Sequence, residues 1–253
     1  MQDQYSCDIG DFAKFGLLRG LFVVEPPLRL GVLWYRVPDE ARTNDGRHIG
    51  YLEPTPMNRE RFRACDHELY DTLGALVEAG KRAVSALSES ELLPADTVYH
   101  DEPLSYLHVS REKRDAHRKR WLTTVHAVAA AAAVIFVDPD NGLEVGTDRH
   151  DPKGPKYVFY DDLIPLSDAG KTIVIYQHAN RNEPFAQQIQ RRSTALQTAL
   201  DRPAKAFIAV RWRRISPRAF IVALGDDHSE MIRERLKRFL AGPWGAHFEQ
   251  VEL

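Results

Sequence analysis

Two carboxylates and an amide, Asp138, Asp140 and Asn141, stand directly after four strand-forming residues, Val134-Ile135-Phe136-Val137, with Pro139 between the acids. The run reads as a buried β-strand of an α/β sheet that ends in turn chemistry. Ligands of open α/β sheets collect outside the carboxyl ends of the strands, so this tip stands where chemistry usually happens. Three chemistries are open to it. Asp138 could accept a hydrogen bond from an exocyclic amine while the backbone orients the base. Asp138 and Asp140, with Asn141, could offer hard oxygen ligands to magnesium and support phosphodiester hydrolysis. Without a metal, one aspartate could activate water or stabilise an oxocarbenium-like sugar during base removal. The plainer alternative is an Asp-Pro turn in which Asp138 caps its own backbone.

Three further groups carry chemical side chains. Asp8, Asp11 and Lys14 lie together near the start of the sequence. Asp11 and Lys14 at i,i+3 can pair on a helix surface, or Lys14 can face a phosphate or a cofactor carboxylate, since Gly10 and Gly16 permit close backbone approach. His178, Asn180 and Arg181 follow a strand-like run. There His178 could act as a general acid or base near neutral pH, and Arg181 could hold phosphate in a bidentate manner. His100-Asp101-Glu102 follows another short strand and is either a solvated loop or the border of a pocket.

The nucleic-acid signal is local. The formal net charge is -2, with Lys+Arg 34 and Asp+Glu 36, so nothing global demands a polyanionic partner. The segment 111–120 is strongly basic, with Arg111, Lys113, Arg114, Arg118 and Lys119 outnumbering Glu112 and Asp115. Arg211 and Arg213 alternate with Trp212 on an expected strand and share a face. Basic residues beside aromatics suit backbone tracking and base stacking, so DNA or RNA is the expected partner.

The elements that must position these groups alternate. Strands are expected at 30–35, 97–99, 134–137 and 172–176, and helices at 11–22, 59–88, 110–133, 159–166, 184–199 and 230–240. Asp11 is the expected cap of the first helix. Segment 41–48 reads as a polar loop with the turn signal Asn44-Asp45-Gly46, and 141–157 as an exposed loop. Two strands at 206–214 and 219–224, joined at Ser216-Pro217, suggest an antiparallel pair at a sheet edge. The alternation predicts a single α/β domain with a mostly parallel, three-layer, Rossmann-like sheet, closed by that antiparallel pair. A helical insertion at about 53–95 is expected to cover part of the pocket. Hydrophobic content of 43% and charged content of 28% are ordinary for a globular chain. Cys7 and Cys65 make neither a disulfide framework nor a zinc knuckle, which suits a reducing cytoplasm. The polar, acidic start is unlike a signal peptide, and the longest apolar stretch, 125–137, contains His126 and is too short to cross a bilayer. No membrane partner is expected, and oligomeric state is not legible.

The order of motifs resembles the class I methyltransferase fold and, more narrowly, the bacterial enzymes that methylate adenine N6 in large-subunit ribosomal RNA. Gly10-Asp11-Phe12-Ala13-Lys14-Phe15 is similar to the Gly-Asn-x-x-Asp-x-x-Lys-His stretch that opens those enzymes. Ile135 to Asn141 is similar to their Ile-Asp-Pro-Pro-Tyr catalytic loop. Ile173 to His178, followed by Gln187 to Arg191, resembles their next strand end and helix. The resemblance implies S-adenosylmethionine as cofactor, bordered by Asp11, Lys14, Tyr35 and Asp101, and a catalytic loop of Asp138, Asp140 and Asn141 with His178 beside it. The chain departs from the family pattern in two places. The first strand runs into Trp34-Tyr35-Arg36-Val37-Pro38 with no Gly-x-Gly, and Asn141 replaces the aromatic that stacks on a flipped adenine. Tyr157, Phe159 or Tyr160 could supply that ring. The leading expectation is therefore a nucleic-acid-modifying enzyme acting on a base. The alternatives are a hydrolase on the same scaffold (a magnesium-dependent nuclease or a base-excising glycosylase, with phage defence as its setting) and a non-catalytic nucleic-acid-binding module.

Overall fold

The computed structural model describes residues 1–40, 46–180 and 183–253. Its strands are β1 Leu30–Trp34, β2 Val98–His100, β3 Val134–Asp138, β4 Gly142–Leu143, β5 Tyr157–Val158, β6 Thr172–His178, β7 Phe207–Trp212, β8 Arg218–Ala223 and β9 Phe248–Val251. Its helices are α1 Ile9–Leu18, α2 Pro56–Asn58, α3 His67–Glu78, α4 Val84–Ser88, α5 Arg114–Ala129, α6 Tyr160–Asp168, α7 Phe185–Ala199 and α8 Ser229–Ala241. A seven-stranded sheet runs in the order β2-β1-β3-β6-β8-β7-β9, and β4 and β5 form a separate pair. The four strands β2, β1, β3 and β6 are parallel, and β8, β7 and β9 continue the sheet with antiparallel pairings. The fold is thus α/β with a mostly parallel, Rossmann-like sheet covered on both faces.

Side chains of a strand alternate between the two faces, so odd and even positions build separate cores. Val32, Trp34, Val134, Phe136, Val174, Tyr176, Phe220 and Val222 pack with α1, α3, α4 and α8. Leu33, Tyr35, Ile135, Val137, Ile173, Ile175 and Ile221 pack with α5, α6 and α7. All ten residues of α1 are buried, so this helix is core and has no solvated face.

Several expected boundaries move. Asp8, not Asp11, caps α1, accepting from the N–H groups of Gly10 and Asp11. Asp11 instead lies within the first turn, where it accepts from the N–H of Cys7 at 2.8 Å and from Lys14. The helical pattern over 59–88 is broken, because Asp66 starts a new cap and Gly80, at φ +66°, ends α3. The insertion packs on α1 and braces the segment before it. Arg82 donates to the carbonyls of Ser6, Gln4 and Gly46 at 2.8, 2.7 and 2.6 Å. The antiparallel pair is not a sheet edge: β8 is inserted between β6 and β7, and β9 forms the outer strand. The expected loop at 141–157 holds β4, whose Gly142 and Leu143 lie in parallel register with Tyr157 and Val158. Asn44, Asp45 and Arg181 lie outside the described residues. Among the described residues no helix is long and apolar enough to cross a membrane.

Candidate functional site

Strand parity decides which side chains meet. Asp138 continues the face of Val134 and Phe136, and its β1 partner is Trp34. That face belongs to α1, so Asp138 points at Lys14. Lys14 Nζ lies 2.9 Å from Asp138 Oδ2 and 3.0 Å from Asp11 Oδ1. It also stands 4.4 Å above the Tyr176 ring. On β6, Tyr176 and His178 share this face, and register sets His178 opposite Arg218 of β8. Arg218 Nη2 reaches Asp8 Oδ2 at 3.2 Å and so ties β8 to the cap of α1. Gly10 is required at this junction. A Cβ there would lie 2.7 Å from the Tyr176 hydroxyl and 2.8 Å from both Arg218 Nε and Asp8 Oδ1.

The geometry brings the acidic tip, Lys14 and the His178 corner together. Lys14, Asp138, Asp140, Tyr176, His178 and Arg218 line a chamber of about 20 Å³, room for one water-sized group. Asp138 is 1% exposed, and its Oδ1 is buried and meets no hydrogen-bond partner among the described residues. The chamber adjoins a polar cleft of about 600 Å³ that Asp8, Asp140, His178 and Arg218 also line, joined by Asn141, Tyr157, Gln177, Asn180 and Arg192. Asp140 and Asn141 therefore face the cleft, whereas Asp138 stands behind them.

Charge in this corner is balanced locally. Burial pushes the Asp11 carboxyl up to about 6 despite Lys14 beside it. Burial opposes the Lys14 ammonium, but Asp11 and Asp138 together outweigh it and hold the group above its ordinary range. Burial likewise opposes ionisation of Asp140, but the Met1 ammonium, Lys156 and Gln2 outweigh it and hold the carboxyl below its ordinary range. His178 is driven down to about 3 by burial and then by Arg218 and Lys14. The ring is neutral at physiological pH, so it can take part in hydrogen bonds but is too weak a base to take up a proton there. This corrects the expectation that it could serve as a general acid or base near neutral pH.

A second cavity, of about 670 Å³ and mostly apolar, opens at the carboxyl ends of β1 and β2. Val37 and Pro38 enter it after β1, and Leu104, Tyr106 and Val109 after β2; Asp39, Glu40, Arg114 and Lys156 supply its charges. Lys156 forms the wall between the two cavities. Its Nζ sits 2.6 Å from Glu40 Oε1 on one side and 3.2 Å from Asp140 Oδ2 on the other.

The residues expected to border a cofactor fall elsewhere. Asp11 and Lys14 belong to the buried ion cluster. The Tyr35 ring, on the opposite face, packs edge-on against Trp121 at 4.7 Å. Only the Tyr35 carbonyl turns toward the site, accepting from the Met1 amine at 2.6 Å. Asp101 is exposed and lines neither cavity.

The expected nucleic-acid residues do not form one patch. Arg118 is 1% exposed, bonded to Asp162 and to the carbonyls of Gly154 and Tyr157, and is a core residue. Arg114 donates to the carbonyls of Val109 and His150 at 3.0 and 2.5 Å. Arg111 and Lys119 are paired with Asp148 and Asp115, and Lys113 is exposed. Arg211 and Arg213 converge on Glu249. They stand toward the β9 edge, while α5 covers β1 and β2 at the far side of the sheet. Trp212 is fully buried, stacked on His247 at 5.1 Å, and offers no platform to a base. Phe159 is buried between Arg118 and Arg149. Of the rings expected to replace the missing aromatic, only Tyr157 lines the polar cleft.

Arg218 was not anticipated in the sequence. Its signal is the alternation Arg218-Ala219-Phe220-Ile221-Val222, which puts an arginine on the same face as Phe220 and Val222. Arg118 carries a similar mark, lying on the buried stripe of Trp121, Leu122, Val125 and Ala129.

The donor set does not suit magnesium. Both tip carboxylates are already neutralised by ammonium groups, and among the described residues no group of three or more His, Cys, Asp and Glu side chains could hold a metal ion. Compared with known proteins, the sequence matches no family model and no curated protein.

Proposed function

We propose that this chain is a nucleic-acid-modifying enzyme of methyltransferase-like type that acts on a base. One observation carries the reading. The Asp140-Asn141 tip after β3 opens on a polar cleft containing Tyr157, Arg192, Arg218 and His178, and one salt-bridged wall separates that cleft from an apolar cavity at the ends of β1 and β2. Two adjoining cavities of opposite polarity suit a polar substrate group on one side and the flat heteroaromatic part of a cofactor on the other.

S-adenosylmethionine, the cofactor that the resemblance implies, fits the residues of the apolar cavity. Leu104, Tyr106 and Val109 offer walls to an adenine ring, Asp39 and Glu40 acceptors for ribose hydroxyls, and Arg114 a cation for a carboxylate, while Lys156 is engaged with Glu40 and Asp140. Val37 and Pro38 stand where glycines would allow closer backbone approach, so contact is through side chains. When bound, this cofactor would supply an electrophilic methyl group, and its transfer to a base requires the Glu40–Lys156–Asp140 bridge between the two cavities to open. The chain's own part is positional. Tyr157 stacks on an extruded base, a contact worth about 1–3 kcal/mol. Asp140 is ionised and accepts from an exocyclic amine. Neutral His178 offers a second acceptor, and Arg192 and Arg218 meet phosphate.

Calorimetry with S-adenosylmethionine and its demethylated product tests the first cavity, and transfer of labelled methyl to RNA and DNA oligonucleotides tests the second. Absence of heat removes the cofactor assignment. Heat without transfer to any oligonucleotide removes the base. A second reading rests on the ionised Asp140 at the cleft: its carboxylate could stabilise an oxocarbenium-like sugar during base excision. Release of free base without S-adenosylmethionine would favour it.

A further inference from the structure

Ile215, at the tip of the β7–β8 hairpin, is 57% exposed and holds φ at +60°. A β-branched residue in the left-handed region is a steric outlier. The N–H of Ser216 donates to the carbonyl of Arg214 at 2.6 Å, closing a three-residue turn about Ile215. A γ-turn with positive φ at its centre is the rare, strained form.

The surroundings hold this turn in place. The Arg214 carbonyl also accepts from the Trp212 indole at 2.7 Å, and Arg218 Nη1 grips the Ser216 carbonyl at 2.8 Å. Arg213 and Arg214 bond the carbonyls of Gly245 and Ala246 at 2.9 and 3.1 Å. A strained conformation persists only where its surroundings over-determine it, and such residues cluster at functional sites. The position is specific too: Ser216 and Arg218 line the polar cleft, so the exposed sec-butyl side chain of Ile215 stands beside its mouth. Val145, 47% exposed, is a second aliphatic on the same cleft.

Resting on the base-modifying reading above, we infer that Ile215 is a wedge that enters the base stack of a duplex when the target base swings into the cleft. An apolar side chain can occupy the gap that an extruded base leaves, with nearby guanidinium groups against the backbone. Arg213, beside it, is exposed on the hairpin.

The test uses the full chain, a duplex with 2-aminopurine opposite the stack-gap position, and the matching single strand. Because Ile215 is exposed and glycine accepts positive φ without strain, Ile215→Gly should fold at least as stably as wild type. Wild type should bind both oligonucleotides and raise the duplex fluorescence. Ile215→Gly should bind the single strand within about threefold of wild type, bind the duplex roughly tenfold more weakly and lose the fluorescence rise. Ile215→Phe should restore the rise. Failure of wild type to bind either oligonucleotide overturns the base reading and the wedge together. A fluorescence rise of equal size with Ile215→Gly, or no rise with wild type despite binding, overturns the wedge alone.

Discussion

Replacing Lys14 by methionine is the sharpest perturbation of the ion cluster. The ammonium sits 3.0 Å from Asp11 and 2.9 Å from Asp138, and side-chain exposure is 4% for Lys14, 0% for Asp11 and 1% for Asp138. Removing one partner of a buried ion pair costs about 3–5 kcal/mol, because the remaining charge has neither water nor a counter-ion. Here two carboxylates lose the same cation, and protonation sets the ceiling on the penalty. In wild type the Asp11 carboxyl already stands at about 6 against an ordinary 3.8. Its contribution to stability is complete below the ordinary value and is lost as pH rises through about 6, a change of roughly 3 kcal/mol. Without Lys14 the Asp11 carboxyl moves further up, so the deficit of Lys14→Met should be small near pH 5 and full near pH 8. Urea unfolding at the two pH values measures it, and the full deficit corresponds to a fall in Tm of roughly 6–10 °C for a chain of this size. Asp11→Asn combined with Lys14→Met should recover part of the loss. A deficit below about 1 kcal/mol at pH 8, or one equal at both pH values, refutes the argument.

Three other outcomes follow from the geometry. Arg118→Ala should destabilise by about 3–5 kcal/mol in chemical unfolding through loss of the buried Asp162 pair, whereas Lys113→Ala on the exposed start of the same region should stay within about 0.5 kcal/mol. Gly10→Ala should displace Tyr176, Arg218 or Asp8, cost about 1–3 kcal/mol, and abolish ligand-induced stabilisation in thermal shift even where the protein still folds. His178, held down at about 3, should show no imidazole titration by NMR between pH 5 and 8. Its depressed value means that its share of stability is present above the ordinary histidine range and fades as pH falls through it.

Much of the sheet was legible because its strands are β-branched runs buried on both faces, as in Val134 to Val137 and Thr172 to Tyr176. The acidic tip was legible for the same reason: a buried run that ends in Asp-Pro fixes the chain's exit. β9 was not, because Phe248-Glu249-Gln250-Val251 has one fully buried side chain and alternates only once. The interior place of β8 is a long-range pairing with β6, which no local pattern encodes. The basic run misled in a different way. Net charge along a sequence says nothing of direction, and Arg118 is turned inward by helical phase to meet Asp162. Asp11 was read as a cap because any acid before an apolar stripe looks like one. Asp8 takes that role because the helix begins earlier, inside the protein.

The contact between Asp8 and Arg218 joins positions 210 apart in the chain. The floor of the cleft is thus assembled from two segments far apart in sequence, and it is absent until β8 has docked against the start of α1. Any molecule that grips both ends there favours the fully folded state over every partially unravelled one, by an amount set by its concentration relative to its dissociation constant. Occupancy of the cleft and cooperativity of unfolding should therefore rise and fall together.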